Sequence, residues 1–131
     1  SDVQQMLRRR ATRKLDRMTN LFETDHAVMR LPLAPIWRGT KPDEVKQRIQ
    51  DLGYSGFVLW DGKSCLTFLG KQLISSSHWQ DFLLLMEKKM PNVHMEVLRR
   101  NRERGYALCG WCDDQKRNTS VFRSQVVRII E

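Results

Sequence analysis

The stretches GYSGFVLWDG (Gly53–Gly62) and GYALCGWCDD (Gly105–Asp114) decide how this 131-residue chain is read. Each follows a charged helical pattern, and a short apolar stretch follows each. A glycine is a natural helix stop, because it takes positive φ without steric cost. An aromatic residue then leads the chain into a strand. In the first stretch, YSGFVLW reads as a buried strand, Asp61-Gly62 as a tight hairpin turn and SCLTFLG as the returning strand. In the second, YALCGWC, the polar turn DDQKRN and TSVFRSQVVRII read as a second hairpin. Aligning VKQRIQDLGYSGFVLWDG (Val45–Gly62) with VLRRNRERGYALCGWCDD (Val97–Asp114) matches Val45 with Val97, Arg48 with Arg100, Gly53 with Gly105 and Tyr54 with Tyr106. The order helix, Gly-Tyr, strand, turn, strand therefore occurs twice. We expect an internal repeat of two αββ units, at residues 33–74 and 92–131.

The helices are read outward from these glycines. Ahead of Gly53, Thr40 is the expected cap, Pro42 and Asp43 suit the first turn, and Val45, Ile49 and Leu52 form the inner stripe. A helix capped by Ser77, with Gln80 as its reciprocal partner, carries Trp79, Phe82, Leu83 and Met86 on one face and stops at Pro91. A further helix capped by Asn92 holds Val93, Val97 and Leu98 and ends at Gly105. Pro32 and Pro35 limit the segment Ala27–Trp37 to an edge strand or extended chain. Trp60 and Trp79 are expected in the core, and Trp37 in solvent. At the N-terminus, Val3, Met6, Leu7, Ala11, Leu15, Met18 and Phe22 recur in steps of three and four, which predicts an amphipathic helix over residues 1–22. The expected architecture is one α+β domain spanning 1–131, with a mixed or antiparallel sheet behind that basic helix.

GTKPDEVKQRIQDLGYSGFVLWDGKSCLTFLGKQLI (Gly39–Ile74) follows the order of strand end, helix, strand, turn, strand and short helix. In this it resembles the CBS (cystathionine-β-synthase-type) domain, which usually comes in pairs of about this total length. The resemblance implies a regulatory or scaffolding domain acting through protein contacts or a small ligand. Nucleotide-binding members usually place a Ser or Thr, and an acidic residue three positions later, after the second hairpin strand. The matching positions here are Leu69 with Gln72 and Phe122 with Gln125. Neither pair supplies the carboxylate, so adenine-nucleotide binding is not implied.

The formal charge is +8, which favours anionic partners. Six of the bases, Arg8, Arg9, Arg10, Arg13, Lys14 and Arg17, fall within three helical turns, and Asp16 does little to offset them. Arg99, Arg100, Arg102 and Arg104 end the helix before Gly105, and Arg117 extends the patch from the second hairpin. Arginine forks suit phosphate or carboxylate in bidentate fashion. The expected function is a non-catalytic binding module whose basic surface engages RNA or DNA backbone or an acidic protein surface. A homodimer through the N-terminal helix is the alternative arrangement.

The motif CGWC (Cys109–Cys112) has the two-residue gap of a metal knuckle or a redox dithiol. Cys109 and Cys112 would need two further ligands for zinc, and no second cysteine pair exists. A redox dithiol wants its motif at a helix start, whereas this one sits in a predicted strand. We therefore expect no metal, no cofactor and no enzyme. Three cysteines in a chain able to form a good core suit a reducing, intracellular compartment, cytoplasm or nucleus. No apolar run is long enough to span a membrane.

Overall fold

The computed structural model describes residues 17–36, 39–60, 66–90, 92–111 and 125–131, with the backbone alone at 17, 18 and 108–111. Its elements, in chain order, are β1 (Arg17–Thr19), β2 (Leu21–Glu23), β3 (Val28–Arg30), β4 (Leu33–Ile36), α1 (Pro42–Asp51), β5 (Gly56–Trp60), β6 (Leu66–Gly70), α2 (Ser76–Lys89), α3 (Met95–Arg104), β7 (Leu108–Trp111) and β8 (Gln125–Ile130). The class is α+β, and every strand pair is antiparallel.

The first echoed stretch folds as its pattern predicts. Leu52 caps α1, and Gly53 follows at φ +87°. β5 then pairs with β6 from Gly56 opposite Gly70 to Trp60 opposite Leu66. Residues 61–65, which hold the expected Asp61-Gly62 turn, lie outside the described residues. β4 lies on the far side of β6, at the edge of the four-stranded sheet β4-β6-β5-β8. That placement tolerates Pro35, which has no N–H to contribute to an inner ladder.

Among the described residues the second stretch does not pair as the first does. Gly105 does stop α3, at φ +80°. Yet β7 pairs with β1, and β8 pairs with β5. Among the described residues the expected second hairpin is therefore split between two sheets. The physical reason lies in what each strand buries. β5 has Phe57, Val58 and Leu59 buried in succession, so it needs a neighbour on both edges, and β8 supplies the second one. The N-terminal expectation is corrected as well. Arg17–Thr19 and Leu21–Glu23 are strands, so no helix runs on to Phe22, and residues 1–16 lie outside the described residues.

The core forms where α2 meets the sheet. Trp79, Phe82, Leu83 and Met86 are all buried, as their spacing predicts. Phe82 stacks on Trp79 with centroids 6.0 Å apart, and lies 6.1 Å from Phe68 of β6. Tyr54, the aromatic after Gly53, meets Phe82 edge-on at 5.2 Å. Burial raises its phenol above the usual range, with the nearby Asp81 carboxylate adding to the effect. Trp60 departs from expectation. It ends β5 and is 40% exposed, because the last residue of a strand lies beyond the packed centre of the sheet.

The helix caps also differ from the sequence reading. Ser75 caps α2, with its hydroxyl accepting from the His78 N–H at 3.2 Å. His94 caps α3 through Nδ1, which accepts from the Val97 N–H. Lys41 precedes α1 without a side-chain cap. Thr40 and Asn92, both expected as caps, instead bond each other: the Asn92 amide donates to Thr40 Oγ1 at 2.7 Å. That contact ties the start of α1 to the α2–α3 connection.

Asn20, between β1 and β2, is wholly buried. Its N–H donates to the Ala107 carbonyl at 3.0 Å, and its Oδ1 accepts from the Ala107 N–H at 2.7 Å. Its carbonyl accepts from the Leu31 N–H at 3.0 Å, and its Nδ2 donates to the Leu31 carbonyl at 2.8 Å. One residue thus joins three segments. Asn20→Ala would strand the Ala107 N–H and the Leu31 carbonyl in the interior. At about 1–3 kcal/mol for each buried group left unpaired, urea denaturation is expected to show a loss of roughly 2–6 kcal/mol. Asn20→Asp should also destabilise, because a carboxylate cannot donate to Leu31.

Candidate nucleic-acid interface

Of the predicted basic residues, Arg8, Arg9, Arg10, Arg13, Lys14 and Arg117 lie outside the described residues. Arg17 opens β1, opposite Trp111 of β7. The described residues hold 13 Lys and Arg against 10 Asp and Glu, so +3 of the chain's +8 falls on them. Most of the charge excess thus belongs to residues outside the described ones.

Arg99, Arg100, Arg102 and Arg104 all belong to α3, but they do not share a face. Leu98 and Asn101 are its buried residues. With about 100° between successive residues, Arg99 and Arg100 point outward together with Glu96 and Glu103. Arg102 and Arg104 flank the buried stripe on opposite sides. Contacts agree with this. Arg102 turns toward α2, where Nη1 lies 3.6 Å from Glu87 and its carbonyl accepts from Gln80. Arg104 turns the other way. Its Nε donates to the Tyr106 carbonyl at 3.3 Å, its Nη2 to Asn101 Oδ1 at 2.6 Å, and its guanidinium lies 4.9 Å from the Tyr106 ring centroid. The consecutive run in sequence is therefore three separate surroundings in space.

Carboxylates sort the arginines further. Arg48 pairs with Glu44 at 3.4 Å, Arg100 with Glu96 at 3.5 Å, Arg102 with Glu87, and Arg128 with Asp43 at 2.6 Å. These pairs are solvent-exposed and contribute little each. Arg30 of β3 was not among the residues singled out by sequence. Its Nε donates to the Gly105 carbonyl at 2.6 Å and its Nη1 to the Val28 carbonyl at 3.2 Å. An isolated arginine in a short strand gives no local signal, since its importance depends on a helix end 75 positions along the chain.

A groove of about 600 Å³ runs beside α2, lined by Asp81, Leu84, Leu85, Glu87, Lys88 and Arg102. Its charges are mixed, and Leu84 is 47% exposed within it. Cys109 lies in β7, where the register against β1 shifts between Met18 and Thr19 and leaves Cys109 as the extra residue. It is thus in a strand rather than at a helix start. Cys112 lies outside the described residues. Among the described residues no three His, Cys, Asp or Glu side chains group as a metal site. None of the described helices is long and apolar enough to cross a membrane.

No family model matches this chain, and no curated protein or solved structure matches it.

The Arg128–Asp43 contact joins β8 to α1. The guanidinium holds the Asp43 carboxyl below the usual value of 3.8, first through its hydrogen bond and then through its charge. A lowered carboxyl pKa adds stability that is present above the ordinary value and lost as pH falls through the lowered one. NMR titration is expected to give Asp43 a midpoint below 3.8, and Arg128→Gln should return it to the ordinary carboxylate range.

Proposed function

We propose that this chain is a non-catalytic binding module whose basic surface engages an anionic partner, with RNA or DNA backbone favoured. The observation that carries the reading is the pairing of β1 with β7. The strand opened by Arg17 continues the basic run from Arg8, and β7 follows directly from α3. Arg17, the last base of one arginine-rich stretch, and the strand that follows the other therefore meet in one small ladder. Phosphate neutralisation by several such groups adds affinity that falls steeply with salt. The three cysteines fit a reducing intracellular setting.

A second reading, a scaffolding domain that works through protein contacts, is favoured by β8. It forms one edge of the main sheet, and its Ile129 is 54% exposed. Exposed edges offer unpaired backbone groups to another strand.

Fluorescence anisotropy with labelled RNA, DNA and heparin across a salt series separates the two. The first reading expects affinity to fall steeply with salt. It also expects a variant with Arg8, Arg9, Arg10, Arg13 and Lys14 all changed to Gln to lose about tenfold or more. Absence of polyanion binding at low salt, together with salt-insensitive self-association, would overturn it in favour of the second.

A further inference from the structure

We infer that Arg30 and Arg104, at the C-terminal end of α3, form a clamp for one phosphate of a single-stranded nucleic-acid backbone. The inference rests on the binding reading above and gives it a specific subsite. It starts from the sorting of the arginines. Arg48, Arg100, Arg102 and Arg128 each face a carboxylate. Arg30 and Arg104 are half-buried, yet every acceptor they meet among the described residues is a neutral oxygen: the carbonyls of Val28, Gly105 and Tyr106 and the amide of Asn101.

Their Nε atoms hold the carbonyls of consecutive residues, Gly105 and Tyr106. The two anchor points are thus one residue apart, roughly 3.5 Å of chain. The end of a helix contributes about half a negative charge, whereas the two guanidiniums bring two positive ones. Capping of α3 accounts for only part of that charge, and an excess of about one and a half units stays at this point. Phosphate has the charge and oxygen geometry that paired guanidinium forks match.

Both groups are also held in place before any ligand arrives. Arg30 is bonded at Nε and Nη1, and Arg104 at Nε and Nη2. Among the described residues that leaves both N–H groups of Arg30 Nη2 and of Arg104 Nη1 open, and one more on the other Nη of each. Fixing a side chain in advance removes an ordering cost at binding. Arg104 lies over the Tyr106 ring, so the opposite guanidinium face is a stacking platform for a base. A base can reach it only when splayed from its neighbours, which favours a single strand over a duplex.

The test uses labelled oligouridine and oligothymidine with the whole chain, by anisotropy at several salt concentrations. R30Q/R104Q is expected to bind about tenfold more weakly at low salt. Its plot of log affinity against log salt should be shallower by about 0.7, the value for one phosphate contact on a single strand. R30K/R104K, which keeps both charges, should restore the slope, and the control R48Q should match the unaltered chain. A folded R30Q/R104Q with an unchanged slope overturns the clamp and leaves the broader reading standing. An unaltered chain that binds neither oligonucleotide overturns the clamp too, and binding to duplex or heparin then decides the broader reading. Should R30Q/R104Q unfold, the unaltered chain still decides. On adding oligouridine, the Nε–H resonances of Arg30 and Arg104 are expected to shift while that of Arg48 stays, and an absence of shifts at the first two overturns the clamp.

Discussion

A single asparagine side chain acts as an extra peptide group at the point where three segments meet. Asn20 offers one donor and one acceptor from its backbone, and the same pair from its amide. With these it satisfies both hydrogen-bonding groups of Ala107 and both of Leu31. Only an amide carries both functions at so short a reach, and burial gives unmet groups no water to turn to. Everything around the end of α3 depends on this junction. It fixes β1 against the strand leaving α3, and it sets the approach to β4 through Leu31. The bonds from Arg30 to Gly105 and from Arg104 to Tyr106 lie just beside it.

The arrangement of arginines shows why counting charge along a sequence says little about charge on a surface. Four arginines in six positions of α3 look like one patch. On the helix they divide into an outward group interleaved with glutamates, one that reaches α2 and one that folds back on Tyr106. Arg30 and Arg104, which meet no carboxylate among the described residues, carry more local potential than arginines that face one, because exposed pairs already dissipate much of theirs. One of those two, Arg30, comes from a strand remote in sequence.

Local signals were legible to the extent that they were local. The stripe Trp79, Phe82, Leu83 and Met86, the helix stops at Gly53 and Gly105, and the β5–β6 pairing are all set by neighbours within a few residues, and the structure bears them out. The caps were misread by one or two positions because runs such as Ser75–Ser77 offer several equivalent hydroxyls. Thr40 and Asn92 found a better partner in each other across 52 positions. The echo between the two Gly-Tyr stretches correctly marked two helix ends. It could not reveal that Tyr54 would enter the aromatic core while Tyr106 would serve a guanidinium. Nor could it reveal that β7 and β8 would part company, since a strand's choice of partner depends on which edge elsewhere is left uncovered. Of the candidate site, the arginines of α3 were readable from composition, and their division was not.

The position of β8 has a consequence for how the molecule is made. β5 is central in its sheet, but one of its two neighbours is encoded last among the described elements. During synthesis, Phe57, Val58 and Leu59 emerge long before residues 125–130 can cover that edge. At translation speeds of about 5–20 residues per second the interval is on the order of 3–13 seconds. For that time a nascent chain presents an apolar, half-paired strand to the crowded space around the ribosome, and holding it apart from other unfinished chains is work for a chaperone.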